Sequence, residues 1–152
     1  MLNKLNDFLS AIIVPTRVEG DPEHTLQLAT AVLLIEVMRS DADSTDEERD
    51  AILNLLKMRF QLSDAELAQL TDLGHRTAKA TNDFYRFTSL INRELEMPEK
   101  IRIIEYMWQV AYADGQISTH ETHLIRKIAG LLYVSHSDYI AAKMRAKPAD
   151  LK

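Results

Sequence analysis

Apolar residues recur at intervals of three and four along nearly the whole chain, which is the spacing of α-helices rather than β-strands. Two segments, residues 22–40 and 98–113, are apolar on nearly all sides, as expected for helices buried in the centre of a core. The segments with one apolar face are residues 2–13, 45–60, 64–73, 84–95, 119–132 and 136–145. The pattern predicts an all-α protein of seven or eight helices.

Short polar turns between these segments carry signals for the start of a helix. Thr45 and Glu48 have the spacing of a capping box, and Ser63 and Glu66 repeat it. In a capping box the hydroxyl accepts a hydrogen bond from the N–H three residues later, and the carboxylate accepts one from the capping residue. The sequence therefore predicts helices that begin immediately after Thr45 and Ser63.

The second half of the chain repeats the first. The aligned pairs are Asp41 with Asp114, Thr45 with Ser118, Glu48 with Glu121, Ile35 with Trp108, Ile52 with Ile125 and Phe60 with Tyr133; a one-residue shift then aligns Ser63 with Ser135. Each copy is a central apolar helix, an acidic turn, a capped helix and a further helix, over about residues 24–73 and 97–145. Neither copy can bury its central helix alone, so we predict a single domain over residues 1–152 with both central helices in one core.

Composition narrows the class of protein. Of the 152 residues, 46% are hydrophobic and 27% charged, as is ordinary for a soluble globular protein, and the net charge is −5. Without a strongly basic run, nucleic acid is not an expected partner. No apolar run is long enough for membrane insertion. The chain has no cysteine and no recognisable signal peptide, so we expect a cytoplasmic protein without disulfides or thiolate metal sites.

The two acidic turns are the candidate chemistry. Asp41, Asp43, Glu48, Asp114 and Glu121 could supply carboxylate oxygens to a divalent cation, and hard cations such as Ca²⁺, Mg²⁺ and Mn²⁺ prefer such oxygens. The competing interpretation is helix capping, which fully explains the two glutamates by their capping-box spacing. Because the first turn holds more acids, it should dominate cation binding unless folding brings both turns to one shared site.

Histidines do not add a clear site. His120 and His123 flank Glu121 at a spacing of three, whereas the zinc-protease motif needs a spacing of four, and no third ligand is evident. Zinc is therefore less expected than the hard cations. His24 is isolated and expected at the surface or in a cap. The sequence has no nucleophile elbow, phosphate loop or dinucleotide fingerprint, so we do not expect an enzyme.

Three stretches resemble a known family. The pattern Tyr-Ala-Asp-Gly-x-Ile-x-x-x-Glu at residues 112–121, the run at 87–92 and the run at 124–129 are similar to those of the TerB-like tellurite-resistance family. The resemblance covers about residues 24–145, and in the first copy Ala42 and Ser44 replace the family's glycine and isoleucine. It implies an all-helical duplicated fold in a cytoplasmic bacterial protein. It also implies a role in tellurite or other stress resistance, with metal binding through acidic residues proposed for the family.

Two functions remain open from the sequence. The first is a non-enzymatic TerB-like stress-response module that binds a divalent cation through its acidic turns. The second is a helical protein-interaction or scaffolding domain with no metal, in which the acids only cap helices. The sequence does not identify a protein partner or an oligomeric state.

Overall fold

The computed structural model describes residues 22–40, 45–75, 81–113 and 119–148. They form α1 (Pro22–Ser40), α2 (Asp46–Phe60), α3 (Asp64–His75), α4 (Thr81–Glu94), α5 (Met97–Tyr112), α6 (Thr119–Leu131) and α7 (His136–Ala146). These ranges contain no strand, and the all-α prediction is confirmed. The helix predicted over residues 2–13 lies outside the described residues. Within the described ranges, no helix has the length and apolarity that crossing a membrane requires.

The two central helices, α1 and α5, pack against each other in the middle of the core. Every residue of α1 from Leu28 to Met38 is buried, and so are most residues of α5. Ile35 and Trp108, which occupy equivalent positions in the two repeats, are both fully buried. The predicted contact between the central helices is therefore confirmed.

The capped helices are shared between the repeats, whereas the third helices are not. Within each repeat the third helix packs on its own central helix, as α3 on α1 and α7 on α5. The capped helices α2 and α6 each contact both central helices, so that α2 reaches α5 and α6 reaches α1. These reciprocal contacts are what two copies of one unit make when they fold against each other.

The capped helices end in the same way. Gln61 after α2 and Tyr133 after α6 both adopt the left-handed conformation, with φ of 51° and 60°. In each case the next residue donates its N–H to a carbonyl five residues earlier: Leu62 to Lys57 at 3.3 Å and Val134 to Ala129 at 2.9 Å. This is the Schellman pattern, which satisfies the last carbonyls of a helix.

These helix ends correct the register of the repeat. The alignment of Phe60 with Tyr133 is wrong, because Phe60 is buried whereas Tyr133 is 74% exposed. Gln61 is the structural equivalent of Tyr133, and the buried Leu132 is the equivalent of Phe60. The second repeat is therefore one residue shorter than the first within its capped helix, before that helix ends.

Candidate metal site at the acidic turns

The first capped helix begins with the predicted capping box. The Thr45 N–H donates to Glu48 Oε1 at 2.9 Å, and the Glu48 N–H donates to Thr45 Oγ1 at 3.1 Å. Three acidic residues in the first turn of α2, Asp46, Glu47 and Glu48, face the positive end of the helix dipole. Capping thus accounts for one oxygen of the Glu48 carboxylate.

Glu121 occupies the equivalent position in the first turn of α6 and lies at a boundary between the repeats. Its side chain is partly buried, with Oε2 shielded from solvent. It lines a pocket of about 10 Å³, roughly the space that one water molecule needs. The other lining residues are all apolar: Leu34, Ile52, Met107, Val110, Ala111, Leu124 and Ile125.

The pocket shows how the openings of the two capped helices are related in space. Leu34 and Val110 come from the last turns of the two central helices, while Ile52 and Glu121 come from the opening turns of the two capped helices. Glu48 precedes Ile52 by one turn of α2. The structure therefore brings Glu48 and Glu121 to the same end of the molecule.

The remaining predicted ligands, Asp41, Asp43 and Asp114, lie outside the described residues, as does the side chain of His120. Among the side chains that are described, no group of three or more His, Asp or Glu residues could hold a metal ion. Calcium takes six to eight oxygen ligands, so Glu48 and Glu121 alone cannot complete its shell. The donor chemistry fits a hard cation only if the aspartates contribute.

The structure also contains a buried histidine–glutamate pair that the sequence did not predict. His24 on α1 is only 4% exposed, so its expected surface position is wrong. Its Nε2 lies 2.6 Å from Oε2 of Glu66 on α3, and the Glu66 side chain is fully buried. Glu66 Oε1 accepts the Ser63 N–H at 3.0 Å in the second predicted capping box.

The environment of Glu66 favours its charged form. Burial alone raises the pKa of this carboxyl group. Hydrogen bonds from His24 and from the Ser63 backbone, together with the attraction of the His24 ring, lower the pKa by more than burial raises it. The net result is a pKa below the usual value of 4.5. The pair joins α1 to α3 inside the first repeat and is not part of the acidic turns.

The class of protein is an all-α domain built from two copies of one helical unit, and the sequence of each copy includes an acidic turn. The family model described as "Tellurite resistance protein TerB" matches residues 27–144. The chain therefore belongs to the TerB family, and the resemblance expected over about residues 24–145 is confirmed. Comparison with curated proteins and with solved structures gave no significant match.

Proposed function

We propose that this TerB-family protein is a cytoplasmic, non-enzymatic stress-response module that binds one divalent cation between its two acidic turns. Calcium, magnesium or manganese is the expected ion, and zinc is less suited to an all-carboxylate donor set. The ion would be held by Asp41, Asp43 and Glu48 of the first turn and by Asp114 and Glu121 of the second.

The convergence of the two repeats at one pocket carries this proposal. Glu121 of α6 and Ile52 of α2 line the same small pocket, and Glu48 lies one turn from Ile52. This arrangement favours a shared site over two separate ones. In a shared site both turns should contribute, so removing an acid from the second turn should weaken binding about as much as removing one from the first.

The described acids have distinct roles in such a site. Glu121 has one oxygen shielded beside apolar side chains, where a charge interacts more strongly than in open water. Glu48 has one oxygen committed to the Thr45 N–H, which fixes the orientation of its carboxylate. A bound cation would relieve repulsion among the carboxylates and link the openings of the two capped helices.

The capping box also supports the second candidate, a protein-interaction or scaffolding domain with no metal. The hydrogen bonds between Thr45 and Glu48 explain this glutamate without any cation. The two candidates can be separated because glutamine at the third helical position also caps, whereas its neutral amide is a much weaker ligand for a hard cation.

The test is calorimetric titration of Ca²⁺, Mg²⁺, Mn²⁺ and Zn²⁺, together with thermal melts at each metal concentration. Wild type should bind a hard cation, and its melting temperature should rise with occupancy. Glu48→Gln and Glu121→Gln should each weaken binding about tenfold or more, with little change in the melting temperature of the metal-free protein. Glu48→Ala should weaken binding and also cost about 1 kcal/mol of stability, because it removes the carboxylate that accepts the Thr45 N–H.

Asp50→Asn is the matched control, because it removes one negative charge from an exposed position on the far side of α2 from Glu48. It should leave binding unchanged. If millimolar calcium, magnesium and manganese leave the melting temperatures of all these proteins unaltered, the cation proposal fails. A cost confined to Glu48→Ala would then support the acids as caps of a scaffolding domain.

A further inference from the structure

Lys100 lies in the first turn of α5 and is only 7% exposed. Its Nζ donates to Asn92 Oδ1 at 3.2 Å and lies 5.9 Å from the centre of the Tyr133 ring. It forms no ion pair with any residue in the described ranges. Lysine is almost never buried to this extent without a partner of opposite charge.

The hydrogen bonds around Lys100 leave part of its donor capacity available. An ammonium group has three N–H donors, and Asn92 accepts only one of them. The Asn92 amide is itself held in place, because its Nδ2 donates to the Leu131 carbonyl at 3.0 Å. The negative end of the α6 dipole offsets some of the lysine charge, but it supplies no carboxylate.

Two exposed side chains with apolar surface, Tyr133 and Met97, lie near Lys100. Tyr133 is 74% exposed and covers the ammonium group with one face of its ring. Met97, one turn earlier on α5 and therefore on the same side of the helix, is 37% exposed. The lysine thus lies beneath an exposed aromatic side chain, and the exposed Met97 is one helical turn away.

The first repeat does not reproduce this arrangement. Gln27 is aligned with Lys100, and Gln61 is the structural equivalent of Tyr133. Both are neutral and neither is aromatic, although the backbone at Gln61 and Tyr133 is almost the same. The fold therefore does not require a lysine and an aromatic residue at these positions.

Nearby acids restrict the kind of ligand. Glu96 and Glu99 open α5, where the Glu96 N–H donates to Glu99 Oε1 at 3.0 Å. They would repel a ligand with several negative charges, such as a phosphate or a run of acidic residues. A single carboxylate flanked by apolar side chains is repelled less, because it carries only one charge, and its neighbours can contact Tyr133 and Met97.

We infer that Lys100, Asn92 and Tyr133 form a docking site for a partner protein, in which Lys100 binds one carboxylate of an acidic–apolar peptide segment. The Tyr133 ring turns aside, as exposed side chains do on a short timescale, and then packs on the apolar neighbours of that carboxylate. Lys100 is about 18 Å along α5 from its end at Tyr112, so the docking site is separate from the proposed cation site.

The test uses two blocked peptides, acetyl-Gly-Leu-Glu-Leu-Gly-amide and the same peptide with glutamine in place of glutamate. Binding to the full chain is followed by two-dimensional NMR, with the shifts of residues 92, 100 and 133 as the readout. We expect the glutamate peptide to bind wild type at least tenfold more tightly than the glutamine peptide. Lys100→Met should abolish this preference, and Tyr133→Ala should weaken both peptides.

Gln61→Ala is the control, since it truncates the equivalent exposed side chain in the first repeat and should change nothing. Thermal melts verify that each variant is folded, and Lys100→Arg, which keeps the charge, should retain at least part of the preference. Equal binding of the two peptides to wild type would overturn the inference. So would free acetate binding as tightly as the glutamate peptide, because a simple anion site needs no partner segment.

Discussion

The Glu66 carboxylate serves two helices at once. One oxygen accepts the Ser63 N–H at the start of α3, and the other lies 2.6 Å from His24 on α1. Because both side chains are buried, the charge on Glu66 is stabilised by these contacts rather than by water. The stability of the first repeat should therefore depend on the protonation of this one group.

We predict that Glu66→Gln will make the free energy of unfolding less dependent on pH at acid pH. The folded-state pKa of Glu66 is lowered, so its contribution to stability is fully present above the usual value of 4.5 and is lost as the pH falls below it. Glutamine can still cap α3 but does not titrate. The free energy of unfolding, measured with urea from about pH 6 to 3, should fall less steeply in the variant than in wild type.

Asp64→Asn provides the control for this measurement. Asp64 lies in the same first turn of α3 but is almost fully exposed, where its contact with Lys57 at 3.4 Å contributes little. Its substitution should leave the fall in the free energy of unfolding at acid pH as steep as in wild type. Parallel curves for Glu66→Gln and wild type would contradict the prediction.

Single residues are where the sequence was least informative. His24 and Glu66 are 42 positions apart, and nothing in either local pattern relates them. Lys100 lies in a segment whose residues are mostly apolar. Its burial depends on Asn92 and Tyr133, which come from two other parts of the chain. By contrast, the capping boxes were predictable because both partners lie within one turn of helix.

At the level of helices, both capped helices end at a non-glycine residue in the left-handed conformation. Gln61 and Tyr133 carry side chains whose Cβ makes this conformation costly, by about 1 kcal/mol or more per residue. Glycine is the usual residue at this position. The helices themselves were predicted from apolar spacing, but their register was not, because no glycine marks either end.

We predict that Gln61→Gly will stabilise the protein by about 0.5 to 1 kcal/mol, after allowance for the greater freedom of glycine in the unfolded chain. Gln61 is exposed, so little packing is lost. Tyr133→Gly should gain less, because it also removes the ring that covers Lys100. Urea unfolding of the two variants measures the difference, and a loss of stability in Gln61→Gly would contradict the argument.

For the molecule as a whole, the core is shared between the repeats. Each capped helix packs on the central helices of both repeats, and the two central helices pack on each other. The apolar pattern of residues 22–40 and 98–113 was enough to predict that contact. The shared pocket at Glu121 could not be predicted, because it depends on how four helices converge.

We predict that neither repeat folds alone. A fragment of residues 22–75 or 97–148 would expose the faces of its central helix that the other repeat covers, and should lack a cooperative thermal transition. Circular dichroism of each fragment, and of an equimolar mixture, tests this. Recovery of helical signal on mixing is expected, and cooperative unfolding of one isolated fragment would refute the prediction.

Because each capped helix packs on both central helices, the stability of the fold also depends on how the two repeats are held together. A single repeat could cover its central helix only by pairing with a second copy around a two-fold axis, and the stability of such a dimer falls on dilution. Joining the two copies in one chain makes the pairing intramolecular, with an effective concentration set by the connecting segment. The fused protein should therefore stay folded at the nanomolar levels of a scarce cellular component, where a dimer of separate repeats would dissociate.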